Sequence, residues 1–360
     1  MNEQARRDEA ALGEAIAAIR PLDAEAMAAA LDRQDQLTKP RGSLGRLELL
    51  GVQLAGIQRR ALPAVERPLV VVAAGDHGIT EEGVSAYPSE VTGQMLANFL
   101  SGGAAINVLA AAAGAGLLVL DAGSRAALNE QPGLRVRRVR AGTRNFAREP
   151  AMTRGEALAA IAFGLQVASE EAAAGADLLA LGEMGIGNTT AASALVAALT
   201  GRPPEEVTGR GTGIDDNAWA NKCRVICAAL DLHRPGPDDG LDALASVGGF
   251  EIAALAGLVI GGARAGIPVL LDGFICGAAA LVADRIAPGV RPYLIAGHRS
   301  VEPGHRIMLD ALALEPLLTL DLRLGEGSGA ALAIPLVRAA ARVLCEMATF
   351  ESASVSRGEA

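Results

Sequence analysis

Aromatic residues are scarce: six Phe, two Tyr and one Trp make up 2% of the chain. The core must therefore be built from Ala, Leu, Val and Ile, with 43 Gly supplying close backbone approaches. Lysine is nearly absent, Lys39 and Lys222 being the only two among 32 basic residues. Acidic residues number 41, for a net charge of −9, which excludes the basic footprint of a nucleic-acid binder. No run of Lys or Arg points to an anionic membrane surface. The four cysteines, Cys223, Cys227, Cys276 and Cys345, do not make a disulfide framework in a chain this long. Cys223 and Cys227 share one face of an expected helix and read as buried packing, with a metal pair as the alternative. Long apolar runs are missing too. Residues 102–120 are interrupted by Asn107 and contain Gly114 and Gly116, so they read as a buried helix, a turn and a buried strand. Residues 252–263 are too short to span a bilayer. The first residues carry no apolar signal-peptide core, so a cytoplasmic protein is expected. At 51% hydrophobic residues, disorder and collagen are excluded.

At about 150 residues per domain, 360 residues make two domains or one large α/β unit with an appendage. Short apolar runs at 69–74, 117–120, 178–181, 268–271 and 293–296 alternate with Ala-rich stretches of helix length. The runs are continuous, as parallel strands covered on both faces require. Residues 134–139 alternate apolar residues with Arg and fit an edge strand or hairpin piece. The expected fold is α/β: a doubly wound, mainly parallel sheet with helices on both faces. Helical patterns at both ends predict a small helical domain made from the termini. It would comprise residues 1–25 and 310–360, with a large Rossmann-like domain over residues 26–309.

Each apolar run is followed by Gly and a polar residue: Gly-Asp-His-Gly at 75–78, Asp-Ala-Gly at 121–123, Gly-Glu-Met-Gly-Ile-Gly-Asn-Thr-Thr at 182–190, Asp-Gly-Phe at 272–274 and Gly-His-Arg-Ser at 297–300. Ligands of open parallel sheets bind outside the carboxyl ends of the strands, so these segments predict one site. In 182–190, Gly185 and Gly187 let backbone N–H groups approach an anion at a helix N-terminus, which Asn188, Thr189 and Thr190 can cap. A plain N-cap is the alternative. The order Gly-x-x-Gly-x-Gly is neither the dinucleotide fingerprint nor a P-loop, which disfavours NAD and ATP. A second Gly-rich loop, Gly-Arg-Gly-Thr-Gly-Ile-Asp-Asp at 209–216, is either an anion cradle or a surface loop. Lys222 follows it, expected at the start of a helix, where it can reach an anion as a point charge. Glu326 stands between Gly325 and Gly327. Apolar neighbours such as Leu322, Leu324 and Ala330 would raise its pKa toward that of a general base; an ordinary first-turn Glu is the alternative. His77, His298 and His305 fit no standard zinc spacing, so no metal is expected.

Seven of these stretches, in this order, resemble the nicotinate-nucleotide:5,6-dimethylbenzimidazole phosphoribosyltransferases. They are Leu-Thr-Lys-Pro-Arg-Gly-Ser-Leu-Gly-Arg-Leu-Glu from Leu37, Ala-Gly-Asp-His-Gly-Ile from Ala74, Gly-Val-Ser-Ala-Tyr-Pro-Ser-Glu-Val-Thr from Gly83, the 182–190 motif, Gly-Arg-Gly-Thr-Gly from Gly209, Gly-His-Arg-Ser-Val-Glu-Pro-Gly-His from Gly297 and Arg-Leu-Gly-Glu-Gly-Ser-Gly-Ala from Arg323. Ser328 stands where the family more often has Thr. The resemblance implies transfer of phosphoribose from nicotinate mononucleotide to 5,6-dimethylbenzimidazole, with inversion at the anomeric carbon. It implies a homodimer, and Glu326 as the general base. The candidate nucleotide and phosphate contacts are Met184, Gly185, Gly187, Asn188, Thr189, Lys222, Gly273, Gly297 and Ser300. Those of the benzimidazole pocket are Ser85, Tyr87, Gln94 and Leu324.

The residues agree with that chemistry. A pyridinium leaving group is already cationic and needs neither a general acid nor Mg²⁺, so no cofactor is expected. A carboxylate near the sugar favours an oxocarbenium-like transition state, and Glu183 is the candidate. Tyr87 is expected to wall the base pocket, and Phe274 either does so or packs in the core. A phosphosugar isomerase or hydrolase, or a non-catalytic nucleotide-binding regulator, remains an alternative.

Overall fold

The computed structural model describes residues 3–211 and 213–356. Thr212 of the second Gly-rich loop, residues 1–2 and residues 357–360 lie outside them. The chain opens with α1 (Glu3–Ala17), α2 (Ala24–Gln34) and α3 (Arg46–Gln58). Strand β1 (Pro68–Gly75) leads through a 3₁₀ turn at Gly78–Glu82 to α4 (Glu90–Ser101), α5 (Ala105–Ala112), β2 (Gly116–Gly123) and β3 (Leu134–Val136). Next come α6 (Arg154–Ala173), β4 (Leu178–Met184), α7 (Asn188–Thr200), α8 (Pro204–Val207), α9 (Asp216–His233), α10 (Gly240–Val247) and α11 (Phe250–Ala265). The chain closes with β5 (Val269–Leu271), α12 (Phe274–Ile286), β6 (Leu294–Ala296), α13 (Pro303–Leu312) and α14 (Ser328–Glu346).

The helix starts follow local chemistry. Asp23, Asp215 and Asp239 accept backbone N–H groups at the first turns of α2, α9 and α10. Thr153 and Glu156 form a reciprocal capping box on α6, with bonds of 3.1 and 2.7 Å. Residues 102–120 divide as expected. Gly102, at φ 81°, ends α4, and after α5 the chain turns into β2. Two stretches, Glu90–Ala112 and Ser328–Glu346, are apolar and long enough to cross a membrane by length alone. The first is broken at 102–104, and the second buries one face inside the fold.

All six strands are parallel, in the order β3-β2-β1-β4-β5-β6. The run at 134–139 is the edge strand β3. Alternate residues of β1 enter opposite layers. Val71 and Ala73 pack with α6, α7, α11 and α12, while Val70, Val72 and Ala74 pack with α3, α5 and α14. This two-sided burial is why the strands read as continuous apolar runs. The shortage of rings is met by backbone contact. A side chain on Gly164 of α6 or Gly257 of α11 would run into a main-chain carbonyl of the other helix.

The terminal helices separate. Helix α1 buries Ala5, Leu12 and Ala15 and lies on α6 and α11. The C-terminal α14 is instead met by α3 and by α2, which fall in the 26–309 range but for the first two residues of α2. Arg33 of α2 donates to the Leu344 and Cys345 carbonyls, where α14 has acceptors left over. An amphipathic stripe marks a helix to be packed, without saying against what.

The chain winds outward from β1 to β3, then returns to β4 and winds outward again to β6. The crevice at that reversal, between β1 and β4 at their carboxyl ends, is where such sheets bind ligands.

Candidate active site

A cleft of about 420 Å³ opens at this edge. Its floor and walls come from β4 and the turn after it, the segments following β5 and β6, helix α4 and the loop preceding α14. Of the expected site residues, Glu183, Met184, Gly185, Asn188, Thr189, Gly273, Ser300, Tyr87, Leu324 and Glu326 line it. Gly187, Lys222, Gly297, Ser85 and Gln94 do not.

Glu326 and Glu183 arrive from segments far apart in sequence. Gly325, Glu326 and Gly327 have φ of 85°, 62° and 89°, so three successive residues are left-handed. Glycine adopts this conformation freely, and glutamate does so only under constraint. The constraint is visible. A side chain at Gly182 of β4 would strike the Glu326 carbonyl, and one at Gly325 would strike the Glu183 carboxyl. The bare backbones at 182 and 325 thus let the two carboxyl-bearing segments touch. Glu326 Oε2 accepts the Ile106 N–H at 3.3 Å. The glutamate stands before α14, which begins at Ser328, and so is not an ordinary first-turn residue.

Asp272, directly after β5, locks this arrangement. Its Oδ1 accepts the Gly329 and Ala330 N–H groups at 2.6 and 3.1 Å, capping α14. His298 Nε2, after β6, lies 3.4 Å from the same oxygen. Burial is the main cause that raises the pKa of Glu326; the Ile106 bond opposes it and the Asp272 charge adds to it. Leu324, expected to help bury Glu326, is 57% exposed at the cleft mouth. Glu183 is pushed up to about 8, by burial first and then by the charge of Asp272; Asn188 opposes the shift and Glu251 and Glu326 add to it. At neutral pH Glu183 is therefore protonated.

On the other wall, α7, α12 and α14 all begin at the cleft, and none has an acidic residue in its first turn. Their N-termini favour an anion. Asn188, Thr189 and Thr190 were expected to cap α7. The N-cap is Gly187, at φ 96° with no side-chain bond, and Asn188 instead donates to the Glu183 carboxyl. Lys222, expected at a helix start, lies inside α9 and is 1% exposed. Its Nζ donates to Thr189 Oγ1 at 2.8 Å, so it faces the cleft through Thr189. Burial lowers its pKa to about 8, against the pull of Glu302. Glu302 Oε1 also accepts the Gly211 N–H at 3.0 Å, which brings the second Gly-rich loop to the cleft.

The remaining expected residues are placed as follows. Gly297 lies against the Leu271 carbonyl and the start of α14. Ser85 accepts the Tyr87 N–H at 3.3 Å. Gln94 is exposed on α4, one residue before Met95 and three after Val91, both of which line the cleft. Phe274 is buried in the core and lines the cleft as well. Cys223 is buried, and Cys227 is half-buried beside Glu205. His305 is held neutral, its pKa lowered to about 3 by burial and by His298, and its Nδ1 accepts the Ser300 N–H at 2.9 Å. No cluster able to hold a metal ion occurs among the described residues.

Asp272 and His298, which lie in strand-end segments expected at the site, also line the cleft, as do Glu302 and Arg323; none of the four was among the candidate contacts. A usable signal existed for Asp272 and His298, since each follows an apolar run. Val91, inside the family-like motif at 83–92, joins Met95, Ile275 and Cys276 in an apolar wall; nothing in the local sequence marks the last three.

A doubly wound parallel sheet with this cleft at its carboxyl edge is the architecture of an α/β enzyme. A family model described as phosphoribosyltransferase matches residues 19–355. A nicotinate-nucleotide–dimethylbenzimidazole phosphoribosyltransferase of Roseiflexus sp. (strain RS-1) is 57% identical over 345 residues, covering 96% of this chain and 98% of that protein. The Geobacter sulfurreducens protein of the same name is 54% identical over 348 residues, covering 97% and 99%. The crystal structure of nicotinate-nucleotide–dimethylbenzimidazole phosphoribosyltransferase from Thermus thermophilus superposes with a TM-score of 0.89 at 53% identity, over 94% of this chain and 100% of that one. The chain belongs to the family of nicotinate-nucleotide–dimethylbenzimidazole phosphoribosyltransferases.

Proposed function

We propose that the protein transfers phosphoribose from nicotinate mononucleotide to 5,6-dimethylbenzimidazole, in assembly of the cobalamin nucleotide loop. The products are α-ribazole 5′-phosphate and nicotinate. The observation that carries this reading is the left-handed Glu326, held beside Glu183 at the end of an apolar-walled cleft.

The 5′-phosphate lies against the N-terminus of α7, with Thr189 oriented by Lys222. The flat base occupies the wall formed by Tyr87, Val91, Met95 and Leu324. One imidazole nitrogen attacks C1′ from the face opposite the pyridine. The C1′–N bond breaks, and its electron pair neutralises the pyridinium. The other imidazole nitrogen gives its proton to Glu326, whose raised pKa makes it the better acceptor. Glu183 is protonated in the empty cleft, and positive charge developing on the ribose favours its ionised form. The protein acts as a cytoplasmic homodimer in this reading, which light scattering of the purified protein tests.

The central assay mixes the protein with nicotinate mononucleotide and follows free nicotinate by chromatography. Release that depends on added dimethylbenzimidazole is expected. Equal release without acceptor points to a hydrolase, and binding without release to a regulator; either result overturns the proposal.

A further inference from the structure

One buried polar pair meets the chemistry above only through the charge of Glu251, which adds to the raised pKa of Glu183. His77 Nε2 and Glu251 Oε1 lie 2.7 Å apart, and both side chains are completely buried. His77 Nδ1 and Glu251 Oε2 have no hydrogen-bond partner among the described residues. As a stabilising device this is poor. Two dry polar side chains must recover their desolvation costs through one hydrogen bond, and well-packed apolar residues of similar size often do as well or better. Its position points elsewhere.

His77 leaves the end of β1 with extended backbone, and its ring passes beneath the turn that follows β4. A β-carbon on Gly185 would stand 3.4 Å from His77 Nε2, and one on Gly187 would stand 3.2 Å from His77 Cβ. The Gly75 carbonyl is nearer still to Gly185 and the Thr80 methyl nearer to Gly187, so the turn rests on this side chain together with those two groups. The His77 carbonyl accepts the Thr80 hydroxyl at 2.8 Å, and Thr80 Oγ1 is 3.0 Å from Ser89 Oγ at the foot of α4. The same residue thus ties down the segment that carries Tyr87, Val91 and Met95. Glu251 holds the ring from below. It is in the first turn of α11, where a carboxylate is favoured by the helix N-terminus, and its side chain has no other hydrogen-bonded partner among the described residues.

We propose that His77, held by Glu251, is a positioning residue that sets the nucleotide-binding turn at 185–187 against the base-pocket wall on α4. Neither residue lines the cleft. Removing the ring lets the turn settle and misplaces the donor sugar, so the loss falls mainly on binding of nicotinate mononucleotide.

This inference rests on the reading of the cleft as a nicotinate mononucleotide site, and the parent protein provides the control. If the parent gives no acceptor-dependent release, that reading fails. If the parent turns over, the variants test the pair alone. His77→Leu fills the space without the ring nitrogens. It is expected to raise KM for nicotinate mononucleotide about tenfold or more, with kcat falling less than threefold. In His77→Gln the amide nitrogen reproduces Nε2, and KM is expected within about threefold of the parent. Glu251→Gln is expected to fall between them. If His77→Leu does not fold, the comparison of His77→Gln with Glu251→Gln decides, together with binding of nicotinate mononucleotide by calorimetry. Unchanged KM in folded His77→Leu, loss in kcat alone, or a lowered melting temperature with both constants intact would overturn the proposal. So would equal losses in His77→Gln and His77→Leu, or parental binding in Glu251→Gln where His77→Leu is unfolded.

Discussion

Glu183→Gln is expected to stabilise the protein in a pH-dependent way. In the unfolded chain Glu183 ionises near 4.5, whereas in the fold its pKa is about 8, raised chiefly by burial. Between those values unfolding releases a proton, so stability declines as pH rises through the window, and the loss is complete above about 8. Each pKa unit corresponds to about 1.36 kcal/mol. The carboxyl therefore costs about 3 kcal/mol at pH 7 and roughly 5 kcal/mol above pH 8. Glutamine keeps the shape and cannot ionise. Urea unfolding of parent and variant at pH 5, 7 and 8.5 measures the difference. It should be below about 1 kcal/mol at pH 5 and approach about 3 kcal/mol at pH 7. A variant no more stable than its parent at pH 8.5, or one whose advantage is the same at every pH, refutes the reasoning. The gain should come with slower nicotinate release, because a site that stores a buried carboxyl beside Asp272 trades stability for chemistry.

The other perturbations follow from single contacts. Glu326→Gln should lower acceptor-dependent turnover about 10²- to 10⁴-fold, the usual share of a general base. Its melting temperature should not fall, because a carboxyl whose pKa is raised by burial costs stability when ionised. Gly325→Ala forces a left-handed alanine at a cost of about 1–2 kcal/mol and pushes on the Glu183 carboxyl. Melting should drop modestly in calorimetry while nicotinate release falls at least tenfold. Lys222 loses its charge as pH rises through about 8, so KM for nicotinate mononucleotide should climb across that pH in the parent. In Lys222→Met that rise should be absent from a KM-against-pH profile.

Much of the architecture was legible because it is written locally. Strands covered on both faces leave continuous apolar runs, and the Gly-polar pairs after them mark the binding edge. The turn after β4 that lines the cleft could be located for the same reason: its glycines and hydroxyls are adjacent in the chain. Less legible were the residues that act through others. Lys222 was expected to reach an anion directly from a helix start, yet it lies inside α9 and donates to Thr189. Gln94 was expected in the base pocket, yet on α4 it is exposed, and its neighbours Val91 and Met95 form the wall. Asp272 was visible as a strand-end acid, but its capping of α14 depends on a helix start more than fifty residues later.

By itself, then, the sequence determined the α/β class, the parallel strands, the edge that binds and the family to which the motifs belong. These rest on short-range patterns of burial, turn chemistry and charge. Only the tertiary structure decided that Glu326 and Glu183 meet, that one is raised and the other kept protonated, and that His77 and Glu251 prop the turn between them. Those properties come from burial and from charges brought together across more than a hundred residues of chain. The glycines at 182 and 325 make the meeting possible, and what each would collide with is a fact of three dimensions.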